Sequence, residues 1–216
     1  MSTHSAPLRD DFIVKSLEQL QSLYGEVKQS SIAKETPVIS AHYRKFIEAA
    51  PFFALATHGP EGMDCSPRGD APGFVRVVDE KTLMIPDRRG NNRIDSLRNL
   101  MHDPRVGLLF LIPGLGETFR VNGRAGISID PELVASFAHE GKAPRCVLVV
   151  EVEAVYFQCS RAVLRARLWD PAVQLERKDF PSNGQILSDL TQQRFDGETY
   201  DRELPLRIAR ELYESL

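Results

Sequence analysis

The chain has 216 residues, 42% hydrophobic and 26% charged, a globular composition that excludes collagen-like, wholly disordered and disulfide-dense classes. Twenty-seven basic side chains stand against thirty acidic ones, a formal net charge of −3, so nothing draws the whole chain to nucleic acid or anionic lipid and any basic site must be local. No apolar run reaches the roughly eighteen residues of a bilayer crossing, the first ten residues lack a basic start followed by an apolar run, and the expected address is the cytoplasm.

The first fifty residues read as helical. Ile13, Leu17, Leu20 and Tyr24 fall on one helical face after Asp10 and Asp11, residues 31–37 form a polar link, and Tyr43, Phe46, Ile47 and Ala50 make a second stripe that Ser40 caps and Pro51 ends. From Phe52 the period changes to that of strands. Residues 52–58 and a segment from Met63 flank a turn, and residues 73–78 and 82–86 read as a hairpin. A helix is predicted over 92–102 and a buried strand over 106–112. Residues 118–129 alternate, with Phe119, Val121, Ala125, Ile127 and Ile129 on one face. Asp130 and Pro131 open a short helix, and residues 145–158 form a long strand with Cys146, Leu148, Val150, Val152, Ala154 and Tyr156 sharing a face. The remainder is helical segments broken at Asp170-Pro171, Pro181 and Asp196-Gly197.

About six strands with only short helices between them exclude a doubly wound parallel sheet, since each parallel crossover needs a helix. The central region is therefore predicted to be an antiparallel β-barrel. Three divisions are expected: a helical appendage over 1–50, the barrel domain over 51–168 and a helical extension over 169–216.

Gly114-Leu115-Gly116 begins like a dinucleotide fingerprint, but Phe119 stands where the last glycine belongs and a strand pattern follows, so the segment reads as a turn. P-loop, nucleophile-elbow and zincin motifs are missing from the sequence. Its five histidines are scattered singly, and Cys65, Cys146 and Cys159 are odd in number and far apart, which argues for reduced thiols over a disulfide framework or a metal site.

The sharpest signal is two arginine-bearing loops in a slightly acidic chain: Ser66-Pro67-Arg68-Gly69-Asp70 and Asp87-Arg88-Arg89-Gly90-Asn91-Asn92-Arg93. One reading is an anion site, with Asn91 and Asn92 at a helix start adding backbone N–H groups to Arg93. The other is a set of solvated arginines paired with Asp70, Asp87 and Asp95.

These loops, the strand end Ile85-Pro86-Asp87 and the strand Thr118-Phe119-Arg120-Val121-Asn122-Gly123-Arg124-Ala125 resemble the pyridoxamine 5′-phosphate oxidase-like family of FMN-binding split barrels, over roughly residues 40–168. The resemblance implies a mainly β fold with added helices, a six-stranded antiparallel split barrel, and a homodimer with FMN at its interface. It places Ser66 and Arg68 beside the cofactor, with Arg68 near the phosphate; Cys65, adjacent to them, reads either as a contact to the flavin ring or as a small core thiol. Ile85, Pro86 and Asp87 would lie along the flavin, Asn91, Asn92 and Arg93 at the phosphate, and Thr118 and Arg120 on the later strand. The reaction partner expected is a small-molecule substrate or NAD(P)H, and no metal is expected from the scattered histidines and cysteines. The short Arg-Leu-His segment with which pyridoxamine phosphate oxidases grip their substrate is replaced here by residues 156–169, so the likeness covers the cofactor half only. The activity expected is an FMN-dependent oxidoreductase of unknown substrate. The alternative is a flavin- or haem-binding carrier or sensor without turnover.

Overall fold

The computed structural model describes residues 9–213. The chain divides into two compact units, Met1–Lys34 and Glu35–Leu216. In the first, a 3₁₀ turn, Asp10–Phe12, precedes α1 (Leu17–Ser22) and α2 (Gln29–Ala33). The single helix expected from Ile13 to Tyr24 is interrupted because Ser16 caps α1, its Oγ accepting from the Gln19 N–H at 3.1 Å. α2 forms where a polar link was expected to begin.

The second unit opens with α3 (Ala41–Ala49), capped by Ser40, whose Oγ accepts from the Tyr43 N–H at 3.2 Å. Its apolar stripe covers the sheet: Ile47 is fully buried and Phe46 stacks on Phe119 with centroids 4.2 Å apart. The strands are β1 (Phe52–Gly59), β2 (Gly62–Gly69), β3 (Arg76–Val77), β4 (Thr82–Pro86), β5 (Arg105–Leu111), β6 (Thr118–Ser128) and β7 (Val147–Gln158). Between them lie α4 (Asp95–Leu100) and α5 (Pro131–Ser136), the latter started by Pro131 and capped by Asp130 as its sequence predicts. α6 (Arg161–Ala166), α7 (Asn183–Leu190) and α8 (Gly197–Glu211) follow.

All strand pairs are antiparallel, in the order β2-β1-β5-β6-β7-β4-β3. The split-barrel class stands, with a seventh strand, the two-residue β3, added to the six expected. The hydrogen-bonded ladder does not close on itself, and β2 and β3 are its edges. The concave side holds the core: Phe53, Leu55, Leu83, Ile85, Phe110, Phe119 and Val121 are each at most 2% exposed. Burying each such side chain contributes about 1.5–3 kcal/mol.

One irregularity redirects side chains. Asn122 pairs with Ala154 but Gly123 pairs with Val152, so Glu153 is bulged out of the β6–β7 ladder. Beyond the bulge Val155 faces the core, fully buried, while Ala154 and Tyr156 turn outward, contrary to the uninterrupted alternation read from the sequence. Gly123 permits the close approach, since a Cβ there would lie 2.1 Å from the Glu151 carbonyl oxygen. Among the described residues no helix is long and apolar enough to cross a membrane.

Candidate functional site

A cleft of about 360 Å³ opens where the end of β2, the loop after β4 and the start of β7 converge. Its position follows from pairing. Pro86 of β4 is in register with Val147 of β7, and the Asp87 N–H donates to the Cys146 carbonyl at 3.0 Å, so the loop leaving β4 begins beside Arg145 and Cys146. β2 arrives from the far edge of the sheet, and Arg68 Nη1 meets Asp87 Oδ1 at 2.8 Å.

Of the predicted site residues, Ser66, Arg68, Asp87, Asn91, Asn92 and Arg93 all line this cleft. Ser66 is held by Asp64, whose Oδ2 accepts from the Ser66 hydroxyl at 2.8 Å and from the Ser96 hydroxyl at 2.7 Å. Asn91 shapes the loop, its Oδ1 accepting from the Arg93 N–H at 3.0 Å. Ile85 and Pro86 are buried, Ile85 within the hydrophobic core, and neither lines the cleft. Cys65, Thr118 and Arg120 lie elsewhere. Cys65 shares the outward face with Ala56, Gly107, Asn122 and Ala154 across the sheet. Arg120 is on the same outward side, paired with Leu109 and Tyr156, and its Nη1 donates to the Tyr156 hydroxyl at 3.0 Å. Thr118 and Arg120 border a separate depression with Arg161 and Arg165.

The helix expected to start at Asn92 starts three residues later, at Asp95. Asn92 (φ +60°) and Ile94 (φ +53°) adopt left-handed backbone, which halts helix propagation before Asp95. For a side chain that costs roughly 1–2 kcal/mol, and it persists where neighbouring contacts dictate it. The backbone amides expected at a helix start near Asn91 and Asn92 therefore belong to an irregular loop, and Asp95 occupies the first turn of α4.

The ion pairs anticipated from the charge pattern do form: Arg68–Asp87, Arg88–Asp70 and Arg93–Asp95, each at 2.8 Å. They do not exhaust the cleft's donors. Five arginines line it, Arg68, Arg88, Arg89, Arg93 and Arg145, against two aspartates, Asp87 and Asp95. Arg68 Nε is buried and has no hydrogen-bond partner among the described residues. A buried, unsatisfied donor costs about 1–3 kcal/mol, and an acceptor supplied by a ligand removes that cost. Burial first, then the Asp87 charge, push the Cys146 thiol up to about 11 against a smaller opposing pull from Arg68, so this thiol stays protonated and uncharged at neutral pH. Arg145, Arg88, Arg89 and Cys146 were missed as site residues by sequence reasoning. The charge run carried a signal for Arg88 and Arg89; Arg145 and Cys146 join only through the β4–β7 pairing.

The fold is an antiparallel split barrel, and an arginine-lined cleft sits at its seam. Residues 39–159, more than half of the chain, match the family model described as pyridoxamine 5′-phosphate oxidase, and the chain belongs to that family. No curated protein matches the sequence. Similar solved structures include HupZ of Group A Streptococcus, 20% identical over 56% of this chain and 95% of that one, TM-score 0.46. General Stress Protein 26 from Bacillus anthracis is 16% identical over 52% and 88%, TM-score 0.39. An FMN-binding protein from Syntrophomonas wolfei is 11% identical over 62% and 85%, TM-score 0.41.

Proposed function

We propose that the chain is an FMN-dependent oxidoreductase that holds the flavin phosphate in the cleft between β2 and the loop after β4. The observation that carries this reading is the buried, unpartnered Nε of Arg68 in a wall of five arginines. Arg68, Asn92, Arg93 and Arg145 would hold the phosphate, with Arg88 and Arg89 of the same cleft wall beside it, and the apolar part of the wall, Pro67, Ile94 and Leu97, suits an aromatic ring system. When bound, FMN supplies the hydride or electron transfer. The chain's own work is binding, orientation and exclusion of water, and the protonated Cys146 adds no nucleophile or base.

Thr118, Arg120 and Cys65 enter this reading through a second copy of the chain. The outward face of β1 and β5 carries Ala54, Ala56, Gly107, Leu109 and Leu111, a row of small and aliphatic residues suited to pairing. In a homodimer joined there, the outward residues of one protomer complete the partner's cleft. NADH or NADPH is the proposed reductant, and the cytoplasm the proposed address.

An absorbance spectrum of the purified protein, followed by anaerobic addition of NADH or NADPH, tests the reading. Flavin bands that bleach on addition support the oxidoreductase. Bands that persist assign the protein to flavin carriage without turnover, and a colourless protein with no affinity for added FMN rejects both.

A further inference from the structure

Glu211, the last residue of α8, and Tyr213 after it lie outside the segment that matches the family, yet they reach the arginine loop. The Tyr213 hydroxyl donates to Asp70 Oδ1 at 2.8 Å, while Arg88 Nε donates to Asp70 Oδ2 at 2.8 Å. One carboxylate, its side chain 4% exposed, thus ties a residue 143 positions away in sequence to the loop that lines the cleft. The Tyr213 ring stacks on His139 with centroids 4.0 Å apart, and the Arg88 guanidinium lies 5.5 Å from the same ring. Two residues earlier, Glu211 stands 3.5 Å from Arg89. Neither Tyr213 nor Glu211 lines the cleft; Arg88 and Arg89 do.

We propose that the C-terminal end of α8 is a strap that presets the phosphate-binding loop, with Tyr213 and Glu211 as positioning residues for Arg88 and Arg89. The inference rests on the reading of the cleft as a flavin phosphate site and adds to it a part of the chain that the family match does not reach. A flexible arginine carries rotamer entropy that a ligand must otherwise overcome on binding, and several like charges on one loop repel each other. Asp70 and Glu211 offset that repulsion on the side away from the ligand. Fixing Arg88 by its Nε edge sets the plane of the guanidinium before a phosphate arrives, and such preorganisation appears as affinity. The groups facing Asp70 agree with a maintained carboxylate: its burial works against the charge, and hydrogen bonds from Tyr213, the Ala71 amide and Arg88 together overcome it, holding the acid below its ordinary range.

The experiment is fluorescence titration of full-length wild type, Tyr213→Phe and Glu211→Gln with FMN and, separately, with riboflavin, which has the same ring but no phosphate. Tyr213→Phe keeps the ring that stacks on His139 and removes only the hydroxyl; Glu211→Gln removes only the charge. Each variant is expected to weaken FMN binding about three- to tenfold, the loss of one hydrogen bond or ion pair, while riboflavin affinity stays at the wild-type value. A purely structural role lowers both affinities together and overturns the proposal, as does an unchanged preference for FMN over riboflavin in both variants. Wild type without any preference for FMN over riboflavin overturns the strap and the phosphate site alike, whereas a clear wild-type preference retained by both variants overturns the strap alone.

Discussion

Arg68 of β2 and Asp87, the residue after β4, form a 2.8 Å ion pair between two strands separated by four others in the sheet order. Hydrogen bonding between strands leaves the barrel split, and this pair bridges the split at the mouth of the cleft. Both side chains are largely shielded, 22% and 15% exposed, so the contact is worth more than a solvated surface pair. The same arginine therefore joins the sheet's two sides and keeps a buried Nε without a hydrogen-bond partner among the described residues.

Arg68→Ala is expected to lower stability by about 1.5–3 kcal/mol, the value of a hydrogen bond to a charged group, and to weaken FMN binding at least tenfold. Urea denaturation and flavin titration measure the two effects. Arg68→Lys restores a positive charge near Asp87 but has no Nε and no planar fork, so it should recover much of the stability and little of the affinity. Equal recovery of both would remove Nε from the argument.

Asp70 gives stability a defined pH dependence. Burial alone would raise its pKa, yet hydrogen bonds from Tyr213, Ala71 and Arg88 together hold it below the ordinary value. A group depressed in the folded state adds stability that is complete above the unfolded carboxylate pKa of about 4 and lost as pH falls through the folded value. The stability difference between wild type and Asp70→Asn should accordingly be largest at pH 5–7 and shrink steadily towards pH 3. A difference that is constant across that range would show that Asp70 acts through shape and not through charge.

Gly123→Ala tests the bulge. The added Cβ would stand 2.1 Å from the Glu151 backbone oxygen, an atom that moves only if the ladder moves. Overpacking of this kind costs about 1–3 kcal/mol, seen as a lower thermal midpoint. Gly126→Ala, three residues along the same strand with nothing within 4 Å of the added atom, is the control and should lie much closer to wild type.

Local chemistry was legible in the sequence wherever one residue decides a feature. Ser40 caps α3, Pro131 opens α5, and the odd positions of β6 from Phe119 to Ala125 face the core. What the sequence concealed depends on partners distant along the chain. The bulge at Glu153 turned Tyr156 outward against its alternation pattern, because it arises from how β6 and β7 pair and not from the composition of either. Ile94 gave no sign of its left-handed backbone, a conformation that β-branched residues resist, and so α4 starts later than its periodicity suggests. Arg68, Asn91, Asn92 and Arg93 were visible as loop charge and turn chemistry, whereas Arg145 joins them only because β4 lies next to β7.

The division of the predicted site residues between the cleft and the outward face leads to a test that needs no ligand-bound structure. If Arg120 serves the partner's cleft, a site combines Arg68 of one protomer with Arg120 of the other. Arg68→Ala and Arg120→Ala homodimers would then each carry two damaged sites. Mixed dimers, formed by unfolding and refolding an equal mixture, would carry one doubly damaged site and one intact site. With random pairing about a quarter of all sites regain wild-type FMN affinity, visible as a tight phase in flavin titration that neither variant shows alone. If Arg120 acts on its own protomer's cleft, or on none, every site in the mixture stays as damaged as in the parents and the tight phase is missing.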